Sequence, residues 1–379
     1  MTAPLDLDAA RQRAIRRRAA GVAVDFDPAR LTLARRLSAR QRTQLAREVG
    51  VTPAAITQYE KGQSKPTLPV LASLSEALAV PVEFFRAGHQ VHALPAGGAH
   101  FRSLRSTSAL EREKALAFGE VALSVFAAVE QQVELPAPRL PDLPVSPELD
   151  AVEIADLAGQ ARARMGVARG PVPHVVRLLE AHGVAVVRLD DASHRVDAFS
   201  HLHGPRPLVM LNPAKRDKAR SRFDAAHELG HLLMHHDTEP GSRLAEMQAH
   251  AFAAEFLAPA AQIADDLPTR PDWVTLHALK RRWGLSLKAL VMRAHTLERF
   301  TEHSYRRALR QLSFWGLPEP GPLGAPEVPV LLPRAIDLLG GEPALGVVAR
   351  DAGLPLSEVR RVWLAAGADD PRPTVDLDE

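Results

Sequence analysis

Apolar residues recur at helical spacing through most of this chain of 379 residues. From Asp27 to about Arg86, short amphipathic stretches alternate with turn signals, which predicts a series of short helices. Longer helical patterns cover 108–134, 152–165 and 172–182. Three short strand-like segments predict strands at 184–189, 196–200 and 207–211. Helical patterns resume after them, so the chain is predicted to be mainly α-helical with one small sheet.

Two proline-rich stretches interrupt these patterns. Five prolines fall within twelve residues, and a second Pro/Gly cluster covers 318–329. The five are Pro136, Pro138, Pro141, Pro144 and Pro147. Because proline breaks helices, both stretches are predicted to be linkers. The length of the chain independently predicts two or three domains.

The composition excludes several classes of protein. Hydrophobic residues make up 46% of the chain, but no apolar run approaches the roughly 20 residues of a membrane span, so we expect no membrane partner. The basic N-terminus lacks an apolar core segment and is not expected to be a secretion signal. There is no cysteine, which excludes disulfides and thiolate zinc sites and suits a reducing cytoplasm. We therefore expect a cytoplasmic protein in which His, Asp or Glu would hold any metal.

Positive charge is concentrated near the N-terminus. The net charge is only +2, yet residues 1–61 hold twelve Arg or Lys against six Asp or Glu. Such a region suits contact with a phosphate backbone, although a solvated cationic tail has the same composition. The arm 1–26 could enter a minor groove; we favour slightly an extension without a role.

Residues 43–60 have the pattern helix, tight turn, helix. Leu45, Ala46 and Val49 form an inward stripe, and Gly50 can take the left-handed conformation that ends a helix. Thr52 is a natural N-cap followed by proline, so the second helix starts sharply. Its outward face is predicted to carry Ala54, Ala55, Thr57 and Gln58, while Ile56 and Tyr59 face inward. Small residues let such a helix approach base edges, where Gln can bond adenine.

With Lys65-Pro-Thr-Leu-Pro and the helical run after it, this segment resembles the Cro/C1-type (XRE) helix-turn-helix family over roughly 29–86. The resemblance implies an operator of double-stranded DNA and a homodimer that reads two half-sites. Arg42, where many members have glutamine, and the apolar start Pro53-Ala54 leave the operator sequence open. A helical domain that binds protein is the alternative. The predicted DNA contacts are Arg42, Thr43, Gln44, Thr52, Ala54, Thr57, Gln58, Lys61 and Lys65.

The segment Arg222-Phe-Asp-Ala-Ala-His227-Glu228-Leu-Gly-His231 contains the motif H-E-x-x-H. On a helix, the two histidines lie one turn apart and can reach one zinc ion, and Glu228 projects beside them as a candidate general base. Gly230 and the flanking leucines indicate a buried helix; the alternative is an exposed helix without function. Candidates for a third ligand are Glu246, His250 and Glu255 on the next predicted helix. His235 and His236 are expected to be exposed and solvated.

This motif, the strand Leu208-Val-Met-Leu-Asn212 before it and the segment 246–259 after it resemble the ImmA/IrrE family of zinc metallopeptidases over roughly 150–265. The resemblance implies that His227, His231 and Glu246 bind Zn²⁺ and that Glu228 is the general base. The family usually has Asn or Asp at the position of His250. We expect this histidine to orient a ligand, with the role of third ligand as the alternative. The strand at 207–212 could offer an edge to a peptide substrate or simply pack under the metal helix.

The predicted fold is multidomain and mainly α: a five-helix helix-turn-helix domain, then an α+β zincin-like metallopeptidase domain with a small sheet and a helical C-terminal region. The predicted segments are a basic arm 1–26, the DNA-binding domain 27–87, a helical connector and proline-rich linker 88–149, the metallopeptidase domain 150–265, a helical accessory subdomain 266–317, and a linker with a small helical tail 318–379. In the tail, 343–366 has a weak second helix-turn-helix pattern, and a plain helical pair is favoured.

Two functions remain open at this point. The first is a DNA-binding transcriptional regulator whose zinc endopeptidase domain cleaves a regulatory protein such as a repressor or an antitoxin. The second is a DNA-binding transcription factor whose peptidase-like domain is a ligand sensor or a dimerisation module without proteolysis. Glu228 favours the first, because a sensor has no need of a general base.

Overall fold

The computed structural model describes residues 22–94, 100–101, 108–146, 148–189, 198–202, 204–213, 217–236 and 242–368. Most of the basic arm lies outside these residues. The chain divides into two compact units. The first comprises 1–96, 107–132 and 339–362, and the second comprises 97–106, 133–338 and 363–379. No helix among the described residues combines the length and the apolar character of a membrane-spanning segment.

The described elements are mainly helices. In chain order, the α-helices are α1 (Pro28–Leu37), α2 (Arg42–Val49), α3 (Pro53–Glu60), α4 (Leu68–Ala77), α5 (Ala109–Glu130), α6 (Ala151–Arg164), α7 (Val175–Ala181), α8 (Lys218–Met234), α9 (Arg243–Leu257), α10 (Ala260–Ile263), α11 (Trp273–Trp283), α12 (Leu287–Thr296), α13 (Glu302–Trp315), α14 (Leu331–Leu338), α15 (Leu345–Ala352) and α16 (Leu356–Ala365). The strands are β1 (His100–Phe101), β2 (Ala185–Arg188), β3 (Phe199–His201) and β4 (Leu208–Leu211). Short 3₁₀ helices cover Val82–Phe85, Ala264–Asp266 and Glu342–Ala344.

The first unit begins with α1–α4 and the 3₁₀ helix Val82–Phe85, so the predicted five-helix domain is confirmed. Its turns follow from local chemistry. Gly50 ends α2 in the left-handed conformation with φ of 76°, and the Thr52 hydroxyl caps α3 by accepting a hydrogen bond from the Ala55 amide at 3.1 Å. Leu45 and Ile56 are fully buried between these helices. Packing of that inward stripe fixes the angle at which α3 is presented.

Helices α5 and α15 and most of α16 belong to the same unit. The Arg30 guanidinium on α1 donates to the carbonyl oxygens of Phe84 and Ala352, each at 3.4 Å. On α5, Glu120 pairs with Arg36 at 2.7 Å and accepts a hydrogen bond from the Leu94 amide at 2.8 Å. The C-terminal helical pair therefore folds onto the helix-turn-helix core, although more than 200 residues separate the two in sequence.

The second unit contains a four-stranded sheet with the order β1-β3-β4-β2. Strand β4 pairs parallel with β2 and antiparallel with β3, and β1 pairs antiparallel with β3. Of the two roles left open for 207–212, an edge for a peptide is excluded, because both sides of β4 are occupied by neighbouring strands. Its buried residues instead pack beneath α8.

The proline-rich stretch 136–146 is extended and attached to the second unit. The buried Arg206 guanidinium donates to the carbonyl oxygens of Gly183 at 2.7 Å and of Pro136 at 3.2 Å. A Cβ atom at Gly183 would lie 2.5 Å from the Ala137 backbone, so only glycine permits this contact.

The stretch 318–331 is anchored to the same unit by acidic side chains. Glu319 accepts hydrogen bonds from the Leu287 amide at 2.7 Å and the Lys280 ammonium at 3.2 Å. Glu327 forms a buried ion pair with Arg222 on α8. Glu180 on α7 accepts from the amides of residues 330 and 331. These contacts tie the stretch to several helices of the unit.

The core of the second unit lies around α8. This helix packs on β3 and β4 on one side and on α9 on the other, and α9 also packs on α6. Leu229, Leu233 and Phe252 are fully buried at the centre of the cluster. Helices α11–α13 extend the same core through Leu276, Trp283 and Leu290, as the apolar spacing predicted.

Candidate metal centre and DNA-binding surface

Helix α8 carries the H-E-x-x-H motif inside the second unit. Asp217 caps the helix by accepting a hydrogen bond from the Arg220 amide at 2.7 Å. The residues His227, Glu228 and His231 are 1%, 0% and 2% exposed. The alternative of an exposed helix is therefore wrong: two imidazoles and a carboxylate are placed in an apolar core, where polar groups require partners.

Gly230 allows α9 to approach the motif. A Cβ atom at this position would lie 3.0 Å from the Phe252 ring and 3.3 Å from the Ala249 Cα atom, both on α9. A side chain here would therefore push the two helices apart. The glycine within the motif is explained by this contact, which brings Glu246 to the histidines.

The two motif histidines and Glu246 converge. The Nε2 atoms of His227 and His231 are 3.1 Å apart. The Glu246 carboxylate lies 3.4 Å from Nε2 of His227 and 3.3 Å from Nε2 of His231. Among the described residues, these three form the group of His, Asp and Glu side chains that could hold a metal ion.

Their separations fit a zinc ion. A tetrahedral ion with bonds of about 2.0–2.1 Å requires donor atoms roughly 3.3–3.4 Å apart. The two Nε2 atoms, and the carboxylate oxygen nearest to each of them (Oε2 for His227 and Oε1 for His231), lie close to that spacing. Two neutral nitrogens and one carboxylate oxygen are also a donor set that zinc favours in catalytic sites. The residues therefore fit the metal that the sequence indicated.

The charge of Glu246 also suits a cation. Burial alone would raise the pKa of its carboxyl group, but hydrogen bonds and charge from His227 and His231 hold that pKa well below its ordinary value. Its place in the first turn of α9 adds the favourable field of a helix N-terminus. The group is thus an anion at neutral pH.

Two other candidate ligands lie elsewhere. The Glu255 carboxylate pairs with Arg293 and accepts a hydrogen bond from the Ala260 amide at 3.0 Å. The His250 ring stands against the Phe223 ring at 4.7 Å between centroids and 6.3 Å from the His227 ring. The structure therefore places His250 beside a candidate ligand and outside the group of three.

The expectation that His235 is exposed was wrong. This residue is 4% exposed, and its Nδ1 lies 3.0 Å from Nδ1 of His231. Its Nε2 lies 3.0 Å from Oε1 of Gln248 on α9. The spacing of four residues from His231 could have indicated a shared helix face, but only the packing of α9 shows that this face is buried. His236 is exposed, as expected.

On the first unit, the predicted DNA contacts fall on α2, α3 and the turn after α3. Eight of the nine are exposed; Thr57 is half-buried, and its hydroxyl donates to the Pro53 carbonyl oxygen at 3.0 Å. The eight are Arg42, Thr43, Gln44, Thr52, Ala54, Gln58, Lys61 and Lys65. Ala55, predicted to face outward, is half-buried.

Three of these side chains also have partners within the unit. Arg42 pairs with Glu60, which in turn pairs with the buried Arg35. Gln44 donates to Glu48 at 3.2 Å, and the Lys65 ammonium donates to the Val24 carbonyl oxygen. Gln58 and Lys61 are therefore the most direct candidates for contact with base edges and with phosphate.

Comparison with known proteins assigns a family to each of these regions. The family model described as Helix-turn-helix matches residues 33–85. The model of the peptidase M78 family, described as IrrE N-terminal-like domain, matches residues 179–295. No curated protein shows a significant match.

The predicted resemblance is thus confirmed: this chain joins an XRE-type helix-turn-helix region to an ImmA/IrrE-like region. The second match contains the motif on α8, Glu246 on α9, and helices α11 and α12. The two matches support a DNA-binding regulator that carries a segment of a peptidase family.

Proposed function

We propose that this protein is a transcriptional regulator that binds operator DNA and carries a zinc-dependent endopeptidase. The convergence of His227, His231 and Glu246 around one point, with Glu228 on the same helix, carries this proposal. The proposed substrate is a peptide bond in a regulatory protein, with repressors and antitoxins as the class to test first. The proposed location is the cytoplasm, where a protein of this kind would reach operator DNA.

The side chains have distinct roles in this proposal. Zinc, when bound, supplies a Lewis acid that favours hydrolysis near neutral pH. His227, His231 and Glu246 hold the ion, and Glu228 takes a proton from the attacking water and returns it to the leaving amine. His250 orients His227 through the contact between their rings.

The DNA-binding half of the proposal rests on α3. Its exposed Gln58 can bond an adenine edge in the major groove, while Lys61 and Lys65 contact phosphate. A homodimer would present two such helices to two half-sites about one helical turn apart.

The proposal is tested by zinc content and cleavage measured on the same preparations. We expect about one zinc per chain by elemental mass spectrometry in the wild type, and a large loss of zinc in Glu246→Ala. We expect His250→Ala to retain most of its zinc. Glu228→Gln should keep zinc and lose cleavage of a panel of purified repressors and antitoxins.

The outcomes separate the two functions considered. Cleavage by Glu228→Gln equal to that by the wild type would remove the general base from the proposal. If the wild type binds zinc but cleaves neither the panel of repressors and antitoxins nor unfolded casein, a sensor or dimerisation module is favoured. A wild type without zinc after gentle purification would remove the metal centre itself and leave DNA binding as the function.

A further inference from the structure

A chain of buried polar side chains leads from His231 to the backbone of a distant segment. His231 Nδ1 lies 3.0 Å from His235 Nδ1, and His235 Nε2 lies 3.0 Å from Gln248 Oε1. The Gln248 Nε2 group donates to the Leu149 carbonyl oxygen at 3.5 Å. His235 and Gln248 are 4% and 5% exposed, so bulk water does not compete for these bonds.

The Leu149 carbonyl group fixes which atom donates and which accepts in every hydrogen bond of this series of side chains. A backbone carbonyl only accepts, so the amide group of Gln248 must face it and the amide oxygen must face His235. His235 then carries its proton on Nε2 in order to donate to that oxygen. Its Nδ1 has a lone pair and accepts from Nδ1 of His231.

The cationic imidazole that lowers the pKa of Glu246 carries a proton on both nitrogens. In the neutral form this order leaves Nε2 of His231 without a proton. That atom is the one that points at Nε2 of His227 and at the Glu246 carboxylate. A neutral imidazole can bind a metal only through its unprotonated nitrogen. The hydrogen bonds therefore select the tautomer of His231 that presents a lone pair to the metal centre, and they fix the plane of its ring.

We propose that His235 and Gln248 are positioning residues that hold His231 in its metal-binding tautomer and orientation. The proposal rests on the metal centre proposed above and adds two residues to it. Removal of a residue that orients a metal-bound histidine commonly lowers metal affinity by about 10–100-fold. Here the partner is a second histidine, whose own proton is placed by an amide and a backbone carbonyl.

The test uses pairs of variants matched in shape. His235→Asn keeps an oxygen close to the position of Nδ1 and can accept from His231, whereas His235→Leu has a similar shape and no acceptor. Gln248→Met is close in shape to the wild type and removes the acceptor for His235. His236→Leu alters the exposed neighbouring histidine and is the control.

Zinc affinity is measured by competition with a chromophoric chelator, and the absorption spectrum of the Co²⁺ form reports on the coordination. We expect His235→Leu to lose about 10–100-fold in zinc affinity and to shift the Co²⁺ bands. His235→Asn should stay within about threefold of the wild type. The zinc affinity of Gln248→Met should lie between those of the two His235 variants, and His236→Leu should match the wild type. Thermal melting in chelator verifies that each variant folds.

Several results would overturn the inference. Wild-type affinity in a folded His235→Leu would remove His235 as a positioning residue, and equal losses in His235→Leu and His235→Asn would assign the effect to packing. If His235→Leu fails to fold, Gln248→Met decides the question, and unchanged affinity there contradicts the proposal. A wild type that takes up no zinc refutes the metal centre and this inference together, whereas tight zinc binding unaffected by these variants refutes the inference alone.

Discussion

At the residue scale, the two glutamates of the proposed centre differ in their surroundings. Glu246 lies between two imidazoles, and their hydrogen bonds and charge lower its pKa. Glu228 has no exposed surface and lies between His227 and Leu229 in the sequence of α8. The surroundings of Glu246 favour an anion that can ligate a cation, and Glu228 is the residue proposed above as the general base.

Gln58 is the residue at which DNA sequence recognition can be tested. We expect Thr57→Ala with Gln58→Ala to weaken operator binding by about 1–3 kcal/mol, because one bidentate contact to a base is lost. Most of the loss should come from Gln58, since Thr57 is half-buried and bonded to its own helix. Binding to random DNA should change much less; fluorescence anisotropy with both DNAs at fixed salt measures the difference.

Lys61→Ala is the matched control for that experiment. It removes a phosphate contact, so it should weaken both DNAs alike and reduce the salt dependence of binding. Unchanged operator preference in the double variant would contradict the assignment of α3 as the recognition helix.

At the element scale, the metal centre depends on how closely α8 and α9 approach. Gly230 faces Phe252 and Ala249 across this contact. The ligands come from both helices, so a change in their separation changes the distance from Glu246 to the two histidines. Packing between helices therefore sets the geometry of the site.

Gly230→Ala should weaken both the fold and the metal centre. The added methyl group overpacks the contact and should cost about 1–3 kcal/mol of stability. It should also weaken zinc binding, because Glu246 moves away with α9. Chemical denaturation in chelator and zinc competition measure the two effects.

Gly159→Ala is the control for that variant, since α6 carries a helical glycine with open space at its Cβ position. Alanine there should be neutral or stabilising by up to about 1 kcal/mol. If both variants bind zinc like the wild type, the helix contact does not set the geometry of the site.

The hydrogen bonds between Glu180 on α7 and the 318–331 stretch should contribute a stability that depends on pH. Burial raises the pKa of Glu180 from an ordinary 4.5 to about 7, although hydrogen bonds from the Leu331 and Val330 amides lower it. The folded state therefore binds this proton more tightly than the unfolded state. The resulting stability is fully present below pH 4.5 and is lost as the pH rises through about 7.

Glu180→Gln keeps an acceptor for both amides and removes the titration. We expect the melting temperature of the second unit to fall more between pH 5 and pH 8 in the wild type than in this variant. Other titrating groups are common to both proteins, so the difference between their pH profiles isolates Glu180. Parallel profiles would show that Glu180 titrates at an ordinary pKa in the fold.

At the scale of the whole molecule, the two units differ in what binding would stabilise. All three proposed zinc ligands lie in the second unit, and the predicted DNA contacts lie in the first. A ligand that binds only the folded unit stabilises that unit. The stabilisation grows with the logarithm of the ratio of the ligand concentration to its dissociation constant.

Removal of the metal should consequently affect one unit. We expect chelation of the purified protein to lower the melting temperature of the second unit by several degrees, with little change in operator binding. Calorimetry with and without chelator, beside Glu246→Ala, measures the first effect, and anisotropy measures the second. An equal chelator effect on Glu246→Ala would assign the loss to something other than this site.

Much of the molecule could be predicted because its signals are local. Residues close together in sequence form each of these signals: the caps at Thr52 and Gly50, the apolar stripe of α2 and the motif on α8. They determine where helices begin and which side chains share a helix face. The helix-turn-helix region and the mainly helical fold followed from them, the small sheet followed from three short strand-like segments, and all three are confirmed.

The sequence by itself determined most of the helices, the two family resemblances and the pair His227 and His231 as candidate metal ligands, because motifs, capping and helical periodicity act within a few residues. Only the tertiary structure decided that β4 lies inside the sheet, that His235 is buried against Gln248, and that α15 joins the first unit. Each of these depends on contacts between segments distant in sequence. Whether such a contact forms depends on the summed burial and hydrogen bonding of both partners, which neither segment reveals alone.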